Sequence, residues 1–212
     1  MSSEKGSCDM KNGAALLIVD VQNDFCPDGA LAVPGGDRVV GPLSRVAGCC
    51  AAAGLPVLAS RDWHPPLTRH FRGSGGIWPP HCVQDSPGAA FHPALRLPEG
   101  TLVISKGDDA DSDAYSAFDG RVEDGRSFRD LLDALGIRHL YVGGLATDYC
   151  VRSSVLDARK AALGVTVLSD AIAGVELAAG DCEKALEEMG RAGATFCATD
   201  EAARRIAGIP AR

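Results

Sequence analysis

The stretch Ala14-Ala-Leu-Leu-Ile-Val-Asp20 decides the fold class. An unbroken apolar run closed by a carboxylate reads as a strand covered on both faces, the kind found in parallel sheets. Working outward, short apolar runs recur at Pro56–Ser60, Thr101–Ser105, His139–Val142, Val165–Leu168 and Ala194–Cys197. Helical spacings alternate with them. Gly36–Ala53 carries Val39, Leu43, Val46 and Cys50 on one face, with Pro42 either in the first turn or at a kink. Ser127–Leu135 carries Phe128, Leu131, Leu132 and Leu135, and Gly136 stops it. Further helices are expected over Cys150–Leu163, Cys182–Met189 and from about Asp200. Strands alternating with helices imply right-handed crossovers. The expected fold is therefore α/β: one domain over residues 1–212, a three-layer α/β/α arrangement around a mostly parallel sheet of roughly six strands. Residues 1–13 are expected to form a flexible tail.

Composition narrows the function. The 212 residues are 46% hydrophobic, enough to bury a core without disulfide staples. Lys and Arg total 21 against 28 Asp and Glu, a net charge of −7, and no basic stripe marks a nucleic-acid partner. The uncharged stretch Val46–Ala59 is broken by Gly54 and Pro56 and is too short for a membrane span. The first residues lead into no apolar signal region, so a cytoplasmic protein is expected. Eight cysteines without a C-x-x-C pair read as reduced thiols, mostly small core residues. The expected partner is a small-molecule substrate, with no nucleic acid and no membrane; a homo-oligomer is allowed.

In open parallel sheets, ligands bind beyond the carboxyl ends of the strands. Those ends carry Asp20, Arg61-Asp62-Trp63-His64, Lys106 and Gly143-Gly144. Asp62 and His64 share one facing in an extended segment, and either His70 or His81 completes a three-ligand set for zinc, iron(II) or manganese. The competing reading is loop histidines that bond carbonyls or solvent, and Cys82 is a conceivable further ligand. Pro65–Pro98, rich in Pro, Gly and His, is too long and too aromatic for a plain connector.

Val142-Gly-Gly-Leu-Ala-Thr-Asp-Tyr-Cys150 runs from a strand through a glycine turn to a helix start. A thiol at that point gains the positive end of the helix dipole, which lowers its pKa, and unpaired N–H groups there could hold an oxyanion. Thr147 or Asp148 is a natural cap for the same helix. Asp20 and Lys106 supply a proton acceptor and a charge, or simply pair with each other. Two other patterns fail. Asp109, Asp111 and Asp113 imitate a calcium loop, but Ala114 and Gly120 stand where Gly and Glu belong. Gly73, Gly75 and Gly76 follow no strand, so neither ATP nor NAD is expected as a cofactor.

Together, Asp20-Val-Gln-Asn-Asp-Phe25, Asp62-Trp-His64, Trp78-Pro-Pro-His81, Lys106-Gly and Gly144-Leu-Ala-Thr-Asp-Tyr-Cys-Val151 resemble the nicotinamidase (pyrazinamidase) branch of the isochorismatase-like cysteine hydrolases. The resemblance runs from about Ala14 to beyond Gly174. It implies hydrolysis of nicotinamide to nicotinate and ammonia in NAD salvage, with Cys150 as nucleophile, Asp20 as general base and Lys106 as the electrostatic third member. A thioester would form and be hydrolysed by water. The amides of Ala146 and Cys150 would form the oxyanion hole beside a cis peptide between Leu145 and Ala146. The implied metal ligands are Asp62, His64 and His81, with His70 matching a further histidine of some members. Zn²⁺ comes first, then Fe²⁺ or Mn²⁺, binding the pyridine nitrogen. Phe25 and Trp78 would sandwich the ring, and Tyr115 and Leu145 complete the substrate-binding set. Two features depart from the pattern: a longer acidic insertion before Tyr115, and Tyr149 where some members have histidine. The rivals are a metal-free relative acting on another small amide or carbamoyl compound, an isochorismatase proper, and a non-catalytic metal-binding module. The metal set argues against the first, and Cys150 with Asp20 and Lys106 against the other two.

Overall fold

The computed structural model of the chain describes residues 13–209; the expected tail lies outside that range except for Gly13. Six strands form one sheet: β1 (Ala14–Val19), β2 (Val57–Asp62), β3 (Leu102–Lys106), β4 (His139–Leu145), β5 (Gly164–Ala173) and β6 (Thr195–Cys197). Their order is β3-β2-β1-β4-β5-β6, and every pairing is parallel. β1 is central and buried at every position. Because strand side chains alternate, Ala14, Leu16 and Ile18 enter the core on one face, and Ala15, Leu17 and Val19 the core on the other. Each large aliphatic side chain buried this way contributes about 1.5–3 kcal/mol.

Helices cover both faces. On one side α1 (Val40–Ala52) contributes Leu43, Val46, Ala47 and Cys50, and α5 (Thr199–Ala207) contributes Ala202 and Ile206. On the other side lie α2 (Phe128–Ala134), α3 (Arg152–Lys160) and α4 (Asp181–Arg191), through Phe128, Leu131, Leu132, Val155, Ala158 and Met189. The three-layer expectation holds. Pro42 falls in the first turn of α1, where its missing N–H has no intrahelical acceptor to lose, and residues 36–39 before it form a 3₁₀ turn. The chain builds outward from β1 to β3 on one side, then returns to place β4 on the other side of β1. That reversal opens a crevice at the carboxyl ends of β1 and β4.

Two strands are longer than the apolar pattern indicates. β4 continues past Val142 through Gly143 and Gly144 to Leu145. A Cβ on Gly144 would fall on the backbone of Val19, and its φ is 129°, so the close approach of β1 and β4 requires glycine. β5 continues past Leu168 through exposed Ser169 and Asp170. Asp170 accepts from the N–H and Oγ of Thr199, fixing the start of α5, so the polar break in the run is a capping site and not a strand end.

The connection between β2 and β3, residues 63–101, has only two short 3₁₀ turns. Burial orders it: Phe71, Trp78, Cys82, Ala89 and Leu95 are all in the interior. Gln22 clamps it to the sheet, donating to the carbonyls of Asp62 and Ala89 and accepting from the Asp62 N–H. Among the described residues no helix is long and apolar enough to cross a membrane.

Gly144→Ala combines a left-handed φ with a backbone clash, so we expect it to destabilise the chain by at least about 2 kcal/mol. In a domain of this size that lowers the melting temperature by about 4–8 °C. A thermal melt indistinguishable from that of the unsubstituted chain would show that β1 and β4 do not depend on the missing side chain.

Candidate active site

Three strand ends and the turn after β4 converge at the crevice. Asp20 leaves β1 with φ 49°, a left-handed conformation that costs a non-glycine residue about 1–3 kcal/mol. Surrounding bonds hold it there: its N–H donates to the Ser60 carbonyl at 3.2 Å, and Ser60 Oγ donates to its Oδ1 at 2.7 Å. Lys106 ends β3 and is fully buried. Its Nζ lies 2.9 Å from Asp20 Oδ2, pairs still more closely with Asp62 Oδ1, donates to the Ala114 carbonyl at 3.2 Å and reaches Cys150 Sγ at 3.5 Å. Burial alone would push this ammonium down, but Asp20, Asp62 and Cys150 hold it well above its ordinary pKa.

The two carboxylates around Lys106 diverge. Burial raises the Asp20 pKa against the pull of Lys106, and Asp62 adds to the rise. Burial also opposes ionisation of Asp62, yet Lys106, then His64 and His81, hold it well below the usual carboxylate range. Asp62 is thus the settled anion and Asp20 the group poised to take a proton. Its Oδ2 is in ion-pair contact with Nζ but receives no directed hydrogen bond.

Cys150 differs from expectation in its backbone setting, its capping and its electrostatics, since its pKa is raised where a helix start would lower it. The chain forms a π turn over Thr147–Val151, and α3 begins only at Arg152, so the thiol does not sit at the start of an α-helix. Burial raises its pKa well above the ordinary value, with Lys106 opposing and Asp20 and Asp62 adding to the rise. The resting group is a thiol. Neither Thr147 nor Asp148 caps the turn with its side chain. Asp148 instead accepts from the N–H groups of Val175 and Glu176, at 2.9 and 2.8 Å, tying the turn to the segment after β5. The peptide bond between Leu145 and Ala146 is cis.

On the other side of Asp62 lie three buried histidines, His64, His70 and His81, with ring nitrogens within 4.8 Å of one another. Asp62 Oδ2 faces His64 Nε2 at 3.6 Å and His81 Nε2 at 3.9 Å. Burial draws His81 down to about 4 and lowers His70, so both are neutral at neutral pH, as metal ligands must be. His64 Nε2 and Asp20 Oδ2 are the buried side-chain polar atoms without a hydrogen-bond partner among the described residues. An imidazole lone pair orphaned beside a carboxylate and two further imidazoles fits a divalent cation of the zinc type. Cys82 stays apart from this set: its side chain lies in the apolar core and its N–H donates to Asp24.

Phe25, Trp78, Tyr115 and Tyr149 line a narrow cleft, with Asp62, His70, His81, Ala146 and Cys150 also on its wall. Trp78 Nε1 donates to the Tyr115 hydroxyl at 2.9 Å, and Tyr149 meets Trp78 edge-on with ring centroids 5.0 Å apart. Leu145 does not line the cleft; it is fully buried and reaches the site through its peptide bond to Ala146. Sequence reasoning passed over Ser60, Gln22, Asp113 and the cleft residues Leu31 and Val175. Ser60 ends the apolar run of β2 and Gln22 sits two residues past Asp20, positions that face the site by alternation; Leu31 and Val175 carry no such signal.

Comparison with known proteins bears on the family. The isochorismatase domain model matches residues 14–201. Nicotinamidase of Escherichia coli (strain K12) is 42% identical over 198 residues, covering 86% of this chain and 93% of its own. Nicotinamidase/pyrazinamidase of Mycobacterium tuberculosis (strain H37Rv) is 43% identical over 178 residues, covering 82% and 93%. The crystal structure of pyrazinamidase of Pyrococcus horikoshii in complex with zinc superposes with a TM-score of 0.81 at 40% identity, covering 87% of this chain and 98% of that one. With a domain match across most of its length and the strand-end residues gathered as described, the chain belongs to the isochorismatase family.

Proposed function

We propose that this chain is a cysteine amide hydrolase that converts nicotinamide to nicotinate and ammonia, and that Cys150, Asp20 and Lys106 carry the chemistry. One observation supports it above the others: Asp20 Oδ2, buried and without a hydrogen-bond donor, shares the Lys106 cluster with the Cys150 thiol at the wall of an aromatic cleft. The thiol passes its proton to Asp20 as sulfur bonds to the carboxamide carbon. The carbonyl oxygen becomes an oxyanion, for which the Ala146 and Cys150 amides at the cleft wall are the proposed donors. Asp20 returns the proton to the leaving nitrogen, the carbon–nitrogen bond breaks, and ammonia departs from a thioester. Water then gives a proton to Asp20 and attacks the same carbon; sulfur leaves with that proton, and the acid released loses its carboxyl proton to solvent as nicotinate. Lys106 keeps Asp62 ionised throughout and offsets negative charge at Asp20.

Phe25 and Trp78 are suited to hold a flat ring between them, with Tyr115 and Tyr149 closing the wall. Asp62, His64, His81 and His70 are the residues that would hold a divalent metal, zinc before iron(II) or manganese given a mixed carboxylate and imidazole set. When bound, such an ion supplies a Lewis-acidic position for a ring nitrogen. The seven described cysteines are free thiols, which supports a reducing, cytoplasmic setting.

Cys150→Ala should lower ammonia release from nicotinamide by at least about a thousand-fold while leaving the melting transition intact. Asp20→Asn keeps shape and tolerates the left-handed backbone but removes the proton acceptor, and should cost about 10²–10⁴-fold in turnover. Unimpaired turnover in either variant rules out that residue's role. Chelation should suppress turnover and added Zn²⁺ should restore it; full activity in a preparation shown by elemental analysis to be metal-free would remove the ion from the mechanism.

A further inference from the structure

The acidic segment between Lys106 and Tyr115 has a residue whose side chain does something specific. Asp113 Oδ1 lies 2.7 Å from His70 Nδ1, on a side chain that is half exposed while the imidazole is buried. Each of the three clustered histidines has its Nδ1 engaged in this manner. His64 Nδ1 faces the Gly107 carbonyl at 3.0 Å and His81 Nδ1 the Pro79 carbonyl at 2.8 Å. None of these acceptors has a hydrogen to give, so each ring carries its proton on Nδ1 and leaves the lone pair on Nε2.

His70 differs from its neighbours in the charge of its acceptor. Two of the rings are fixed by backbone carbonyls, His81 by one two residues away and His64 by one 43 residues away, while His70 is fixed by a side-chain carboxylate. A carboxylate behind an imidazole both sets the tautomer and increases the electron density at the opposite nitrogen, making it a stronger ligand. The ring of His70 stacks on that of His64 with centroids 4.7 Å apart, so a small rotation would carry its Nε2 away from the cluster.

Resting on the metal centre proposed above, we propose that Asp113 is a positioning residue that makes His70 a metal ligand of this chain. The segment is anchored without it: the Ala110 carbonyl accepts from the Arg69 N–H at 2.9 Å and from Thr68 Oγ1 at 3.1 Å. Removing the Asp113 carboxylate therefore leaves the loop attached beside His70. Asp111, on the same segment and exposed, makes no contact with the histidines through its side chain and serves as a charge-matched control.

The test uses the full chain, stripped of metal and titrated with Zn²⁺ against a chromophoric chelator. Asp113→Asn should weaken zinc binding by about ten- to a hundred-fold, Asp113→Glu should recover part of it, and Asp111→Asn should match the unsubstituted chain. With Co²⁺ as the probe, Asp113→Asn should alter the visible ligand-field bands and Asp111→Asn should not. Equal affinity for Asp113→Asn and the unsubstituted chain overturns the proposal. So does an equal loss in both Asn variants, which would reduce the effect to net charge. A loss that Asp113→Glu fails to recover and that accompanies earlier melting of the metal-free chain also overturns it, as damage to the loop. If the unsubstituted chain takes up no zinc, or His64→Ala binds it as tightly, the metal centre itself fails, a result distinct from failure at Asp113.

Discussion

Lys106 stands fully buried between the carboxylates of Asp20 and Asp62, and the geometry of the site depends on that one ammonium. Each of the three groups arrives from the carboxyl end of a different parallel strand, β3, β1 and β2. A buried charge is tolerable only when paired; removing one partner from such a cluster typically costs about 3–5 kcal/mol. One cation against two anions leaves the cluster short of positive charge, and the two carboxylates absorb the shortage unequally. Asp62 stays ionised and Asp20 is raised. Unequal carboxylates around a shared cation separate a permanent anion from a proton acceptor, the pattern that acid–base chemistry needs.

Asp62 joins two environments through its two oxygens. Oδ1 faces Lys106 and Oδ2 faces His64 and His81, so the same carboxylate neutralises the ammonium and contributes to the histidine cluster. A divalent ion near Oδ2 would draw charge away from Oδ1, and the Asp20 side of the cluster would then carry more of the ammonium's pairing. The histidine cluster and the Asp20 carboxylate are therefore coupled through one side chain.

The fold was largely legible because β1 is buried on both faces and the alternating runs mark each crossover. What escaped the pattern did so for physical reasons. Gly143 and Gly144 hide the end of β4 because Leu43 and Ala171 crowd the first and the β1 backbone the second, while Ser169 and Asp170 hide the second half of β5 because a capping carboxylate interrupts an apolar run. The grouping of Asp20, Lys106 and Cys150 could be read from strand ends, as could that of Asp62 and His64. The thiol's electrostatics could not: a dipole argument needs a helix start, and the π turn and full burial are tertiary facts. Asp113 was read as part of an acidic insertion, since nothing in its local spacing points to a histidine 43 residues earlier.

The division of the site follows from how its parts are held. The charged groups of the ion cluster stand at the ends of sheet strands and are held in place by hydrogen bonds: Asp20 by Ser60, Asp62 by Gln22, Lys106 by the Ala114 carbonyl. Much of the cleft wall comes from the irregular connection between β2 and β3, through His70, Trp78 and His81, with Tyr115 and Tyr149 added from loop and turn. Loops accept substitution and insertion more readily than the strands that carry them. Changes in the connection can thus reshape the wall around the substrate's ring while the ion cluster at the strand ends stays intact. The acidic segment before Tyr115, which follows β3, meets through Asp113 the one clustered histidine whose ring nitrogen faces a carboxylate on its outer side.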